Sequence, residues 1–188
     1  MTASGVLRPD GRPVRPRELP MAFTFGEFAR GAMWAWWTFQ WVYLLANLAV
    51  DVVVAFFAHG SSMSLGLFWS VFAFLWSVGA LLLLGGPLAW LLGRSLRRVP
   101  RSFWHLIAFG ALGLVVGAVT TLVATQWFGF WPVWSSLSAM STAIAAVSTA
   151  IAVAFGWRRT AKRALAGDAR LRASADSDQT STDAESLD

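Results

Sequence analysis

Asp51 is the residue from which chemistry is most to be expected. It lies in the run NLAVDVVVAFF, residues 47–57, where every neighbour but Asn47 is apolar. Gln40, Asn47 and Asp51 are seven and four residues apart, a spacing that puts all three on one face of a helix. Leu44 falls within that face and Tyr43 borders it. A charged Asp facing lipid costs at least about 2.5 kcal/mol at the bilayer centre and less nearer the surface. The polar face is therefore expected to point into a helix bundle. Two chemistries suit it. A protonated or hydrogen-bonded carboxyl could pin helix register, each such bond contributing about 0.6 kcal/mol on average. Alternatively, the carboxylate could bind a proton or cation, with Asn47 and nearby hydroxyls as co-ligands.

Depth selects those hydroxyls. Asp51 is seven residues before Ala58, about 10 Å of helix at 1.5 Å per residue. Counting from the ends of the later apolar runs brings Thr120, Thr121, Ser141 and Thr142 to the same level, with Ser70 slightly shallower. The expected binding residues are thus one intramembrane layer: Asn47, Asp51, Thr120, Thr121, Ser141 and Thr142.

The elements that must carry this layer are membrane helices. Of 188 residues, 56% are hydrophobic and 13% charged, about half the charge of a soluble domain. A helix needs roughly 20 apolar residues to cross a bilayer. Four runs suffice: about 32–58, 65–92, 103–127 and 133–157. Continuous runs of this kind satisfy their backbones in lipid only as helices. The predicted fold is all-α, a four-transmembrane-helix bundle.

Charge sets its orientation. All 15 basic residues fall before the first run, between the second and third, or after the fourth. The remaining two connections, HGSSMSLG and QWFGFWP, carry none. The positive-inside rule places both termini and the middle loop in the cytoplasm. Trp34, Trp36, Trp37, Trp41, Trp90, Trp104 and Trp157 then fall near the inner boundary, and Trp127, Trp131 and Trp134 near the outer one, where indoles favour the headgroups. Trp69 and Trp76 lie deeper and are expected to pack. Arg94, Arg97, Arg98, Arg101, Arg158 and Arg159 flank the spans and suit anionic lipid headgroups. Topology accounts for the net charge of +5, and nucleic acid is not an expected partner.

Small residues predict how the helices meet. Gly113 and Gly117 form a GxxxG in the third span. In the fourth, STAIAAV and STAIAVA repeat at seven residues, aligning Ser141 with Ser148 and setting Ala145 and Ala152 beside them. Small residues let backbones approach where lipid gives no hydrophobic contrast. A hairpin of spans three and four is expected, with a homo-oligomer through the same GxxxG as its alternative. Gly85, Gly86 and Pro87 interrupt the second span, predicting a bend or a hinge.

The domain organisation follows. Residues 1–24 form a basic, proline-rich, disordered segment, with Met21 an alternative start. Thr24 and Glu27 have capping-box spacing and predict a helix from Phe25. Residues 25–157 are the membrane domain, 158–173 a basic juxtamembrane segment able to extend the fourth helix, and 174–188 an acidic disordered tail. The long apolar run and the proline-rich start do not fit a cleaved signal peptide.

Motifs for nucleotide binding and zinc hydrolysis are absent from the sequence. His59 and His105 fall on opposite membrane faces, so they share no metal and each reads as an interfacial residue. Ser61 and Ser62 with His59 and Asp51 lack a nucleophile elbow. No enzyme activity, cofactor or metal is expected. The arginine-, alanine- and glycine-rich composition suggests a bacterial cytoplasmic membrane. The leading expectation is a non-enzymatic accessory or scaffold component that meets a membrane-protein partner. The alternative is an ion- or solute-translocating protein built on the layer around Asp51.

Overall fold

The computed structural model describes residues 23–58, 63–99, 101–129 and 135–185, and among them every regular element is helical. Helix α1 spans Phe25–Ala58, α2 Met63–Ala80, α3 Gly86–Ser95, α4 Ser102–Trp127 and α5 Ser136–Glu185. A π-helical turn, Leu81–Gly85, joins α2 to α3, so the two form one interrupted span. Four helices are thus long and apolar enough to cross a membrane, over Phe25–Phe57, Leu67–Ser95, Ser102–Trp127 and Ser136–Ser174. This is the architecture of a multi-pass membrane protein.

Helix α1 starts where its capping box predicts. The Thr24 backbone N–H donates to Glu27 Oε2 at 2.9 Å, and the Glu27 N–H donates to Thr24 Oγ1 at 3.3 Å. Two of the amides that a helix start leaves without an internal acceptor are thereby paired.

The interruption in the second span has a local cause. Pro87 sits in the first turn of α3 and has no N–H to offer the preceding turn. The chain widens just before it, and the Gly86 N–H reaches back five residues to the Leu81 carbonyl. A Cβ on Gly86 would lie 2.9 Å from that same oxygen, so the π turn needs glycine there. The bend predicted from Gly85, Gly86 and Pro87 is a π bulge followed by a proline-started helix.

Helix α5 is longer than the sequence reading suggests. It has 50 residues, about 75 Å at 1.5 Å per residue, and runs unbroken through Glu185. The basic segment is helical, as is the acidic tail as far as Glu185, where disorder was expected. Residues 158–185 hold no proline and only one glycine, Gly167, and residues 158–173 are rich in Ala and Arg. These good helix formers extend an existing helix, which avoids the cost of a new nucleus.

Glycines position α5 at the centre of the packing, between α1 and α4. A Cβ on Gly113 would lie 2.7 Å from Ala150 Cα, and one on Gly117 2.8 Å from Ala146 Cα and 2.9 Å from the Ala145 carbonyl. The GxxxG therefore closes the hairpin of α4 and α5 within one chain. A second crossing went unread in the sequence. A Cβ on Gly156 would lie 2.7 Å from Ala35 Cβ and 2.9 Å from the Gly31 carbonyl, and one on Gly31 would meet Thr160 Oγ1 at 2.7 Å. Its signal was present as Gly31-xxx-Ala35 opposite Ala152-xxx-Gly156-xxx-Thr160, each small residue four from the next.

The second span is held differently. Among its described residues none is buried, and hydrogen bonds tie it to its neighbours at two points. Ser77 Oγ accepts from Trp36 Nε1 at 3.0 Å and from Gln40 Nε2 at 2.8 Å, both on α1. Trp76 Nε1 donates to the Thr120 carbonyl of α4 at 3.2 Å. Trp36 is therefore a bundle residue and not a headgroup anchor, while Trp76 packs as expected, against Phe72 and Phe128. Ser77→Ala removes the acceptor of two α1 donors. It is expected to lower unfolding free energy by about 1 kcal/mol, measured by reversible unfolding in bicelles. Unchanged stability would mean that Trp36 and Gln40 find other acceptors.

Candidate functional site

The two ends of the bundle are chemically distinct. Phe28 packs on Trp90, Gly93 faces Phe109, and His105 stacks on Trp157 with ring centroids 5.1 Å apart. These contacts bring together the ends of the spans that carry Arg94, Arg97, Arg101 and Arg158. The opposite end gathers Phe72, Trp76 and Phe128 with the hydroxyl-bearing turns of α4 and α5. Trp131, Trp134, His59, Ser61 and Ser62 lie outside the described residues.

A cavity of about 590 Å³ runs between these ends, lined by α1, the interrupted second span, α4 and α5. Its volume is in the range of small-molecule sites. Asn47, Asp51, Thr120, Thr121 and Ser141 all line it, joined by Thr125. Five of the six expected layer residues thus share one space. Thr142 does not line it, and its hydroxyl is buried without a hydrogen-bond partner. Asp51 is 8% exposed.

The layer is less of a network than its residue types suggest. The Thr120 hydroxyl donates to the Val116 carbonyl at 2.7 Å, and Ser141 donates to the Ser138 carbonyl at 3.1 Å. Thr125 donates to the Leu122 carbonyl at 3.0 Å, and the Asn47 amide to the Tyr43 carbonyl at 2.8 Å. Each hydroxyl has a single proton and commits it to its own helix. The Thr120, Thr125 and Ser141 protons therefore go to backbone, not to the Asp51 carboxylate, and their oxygens remain acceptors toward the cavity. These residues and the Asp51 carboxylate line one cavity, an arrangement that suits a proton or cation.

The remaining walls are apolar and aromatic, with Trp36, Phe39, Tyr43, Trp69, Phe72 and Trp76 lining the cavity. Tyr43 is buried and stacks on Phe39, centroids 5.4 Å apart. Arg94 and Arg97 line the basic end.

The other singled-out residues fall into two groups. Gly113 and Gly117 meet α5 at Ala145, Ala146, Thr149 and Ala150, while Ala152, buried like Ala145, lies on the stripe of α5 that leads to the α1 crossing at Gly156. Arg94, Arg98, Arg101 and Arg158 are exposed and Arg97 is half-buried. Arg159 departs from the expected headgroup contact: its guanidinium lies 3.9 Å above the Trp34 ring centroid, a cation–π contact between α5 and α1. His105 departs as well. It is 1% exposed, sealed between α4 and α5, with Nδ1 3.2 Å from the Arg101 carbonyl and Nε2 without a hydrogen-bond partner. Its position against Trp157 makes it a packing residue at the basic end of the bundle. Among the described residues no group of three or more His, Asp or Glu side chains is placed to hold a metal ion. No protein-family model, curated protein or solved structure matches this chain.

Proposed function

We propose that this multi-pass membrane protein takes a small solute or ion into the cavity between its four spans, and that Asp51 and the acceptor oxygens beside it handle the charge. The observation that carries this reading is the position of Asp51, an intramembrane carboxylate bordering a cavity of about 590 Å³. The accessory-component reading is the weaker one, because a scaffold needs no such space at its axis. The basic end faces the cytoplasm, by the distribution of Arg and Lys over the connections. It meets the anionic headgroups of that leaflet.

The absence of cysteine makes the test clean. Thr121→Cys places a thiol in the cavity wall, and Val119→Cys places one on the exposed face of α4. In proteoliposomes, a membrane-impermeant cationic thiol reagent is expected to modify Thr121→Cys and spare Val119→Cys. Equal protection of both thiols, with the reagent on either side, would mean that no water reaches the layer and would sink the proposal.

A further inference from the structure

The cavity continues well beyond the polar layer. It borders α1 from Phe28 to Val54, a separation of 26 residues, or about 39 Å at 1.5 Å per residue. Its volume of about 590 Å³ is in the range of a single small-molecule ligand. The half nearer the basic end is apolar and is bordered on the second span by Ala80, Gly85, Ala89 and Gly93.

Close packing does not require these small residues. At the helix crossings a glycine Cβ would fall within 3 Å of a neighbouring helix. A Cβ on Gly93 would find its nearest atom, Phe109 Cζ, at 3.7 Å, and one on Gly85 would find nothing closer than 3.6 Å. Both positions would accept a Cβ at ordinary van der Waals distance, so these glycines border cavity space and not a backbone crossing. That space ends at Arg94 and Arg97. Among the described residues no carboxylate pairs with either guanidinium.

From the cavity volume, the apolar wall and the two guanidiniums at one end, we infer that this half of the cavity binds an anionic amphiphile with one hydrocarbon chain. Its carboxylate or phosphate meets Arg94 and Arg97, and its chain lies along Gly93, Ala89 and Gly85. The inference rests on the same cavity as the proposed function but not on Asp51. Single-chain amphiphiles are favoured over two-chain phospholipids because a volume of about 590 Å³ suits one small ligand.

The test uses the full chain in phosphatidylcholine vesicles with a 16-carbon fatty acid carrying a diazirine in mid-chain. Photolysis is expected to label one equivalent per chain, mapping to α3 and the facing turns of α4. Arg94→Gln with Arg97→Gln should reduce labelling at least fivefold, as should Ala89→Phe, which fills the slot. Val119→Cys, on the exposed face of α4, should leave it unchanged. Unlabelled palmitate should compete, whereas a trimethylammonium amphiphile of equal chain length and excess phosphatidylglycerol should not. Labelling spread over the lipid-facing sides of all helices overturns the inference. So does equal competition by the ammonium amphiphile or by phosphatidylglycerol. The competition arms use the unmodified chain, so they decide even if a variant fails to fold. A reactive Thr121→Cys without specific fatty-acid labelling would remove this inference alone and leave the solute cavity standing.

Discussion

Gly113→Ala and Gly117→Ala are each expected to destabilise the bundle by about 1–3 kcal/mol, whereas Gly110→Ala leaves it unchanged or slightly more stable. All three lie on α4, so helix propensity treats them alike. Their surroundings differ. The new methyl on Gly113 would meet Ala150 Cα at 2.7 Å and the Thr149 carbonyl at 2.8 Å. On Gly117 it would meet Thr149 Oγ1 at 2.7 Å, Ala146 Cα at 2.8 Å and the Ala145 carbonyl at 2.9 Å. Most of these atoms are backbone, which cannot rotate aside, so α4 and α5 must separate. Around Gly110 nothing lies within 4 Å, and there the alanine only reduces the freedom of the unfolded chain. Reversible unfolding of the three variants in one bicelle composition checks the ordering. If Gly113→Ala left monomer stability intact but dissolved a dimer, the glycine face would belong to a second copy and not to α5.

Asp51→Asn is the second variant with a large expected effect. The amide keeps the shape of the side chain and removes its charge. If Asp51 handles a proton or cation, passive proton or monovalent-cation flux in proteoliposomes should fall at least about tenfold, equivalent to 1.4 kcal/mol. Unfolding free energy should change by less than about 1 kcal/mol, because the amide keeps the size of the side chain and can still accept a hydrogen bond. A dye-loaded vesicle assay under an imposed potential, run beside unfolding of the same preparation, separates the roles. Intact flux with a stability loss well above 1 kcal/mol would return Asp51 to a structural pin.

These variants also separate what could be read along the chain from what had to be seen in three dimensions. The four spans were legible because lipid imposes a length and an apolarity on any helix that crosses it. The start of α1 was legible because a capping box is made within four consecutive residues, Thr24 to Glu27. The contents of the layer were largely legible as well, since depth follows from counting residues along helices of known rise. The interruption of the second span was visible in Gly85, Gly86 and Pro87, but its form was not. A π turn depends on which carbonyl Gly86 reaches.

Other features depended on neighbours that sequence spacing does not specify. Gly31 and Gly156 are 125 positions apart in the chain, and their close approach arises only once α5 lies against α1. Arg159 over Trp34 and His105 against Trp157 depend on the rotation of one helix relative to another. The sequence alone determined that this chain builds four membrane-spanning helices with a carboxylate among them and its basic charge at one end. The tertiary structure decided that α4 and α5 close on each other through glycine while the second span stands off. Periodicity reports which face of a helix is small or polar, but the distance to the facing helix belongs to the bundle, and that distance leaves a cavity beside Asp51 where a seam was equally compatible with the sequence.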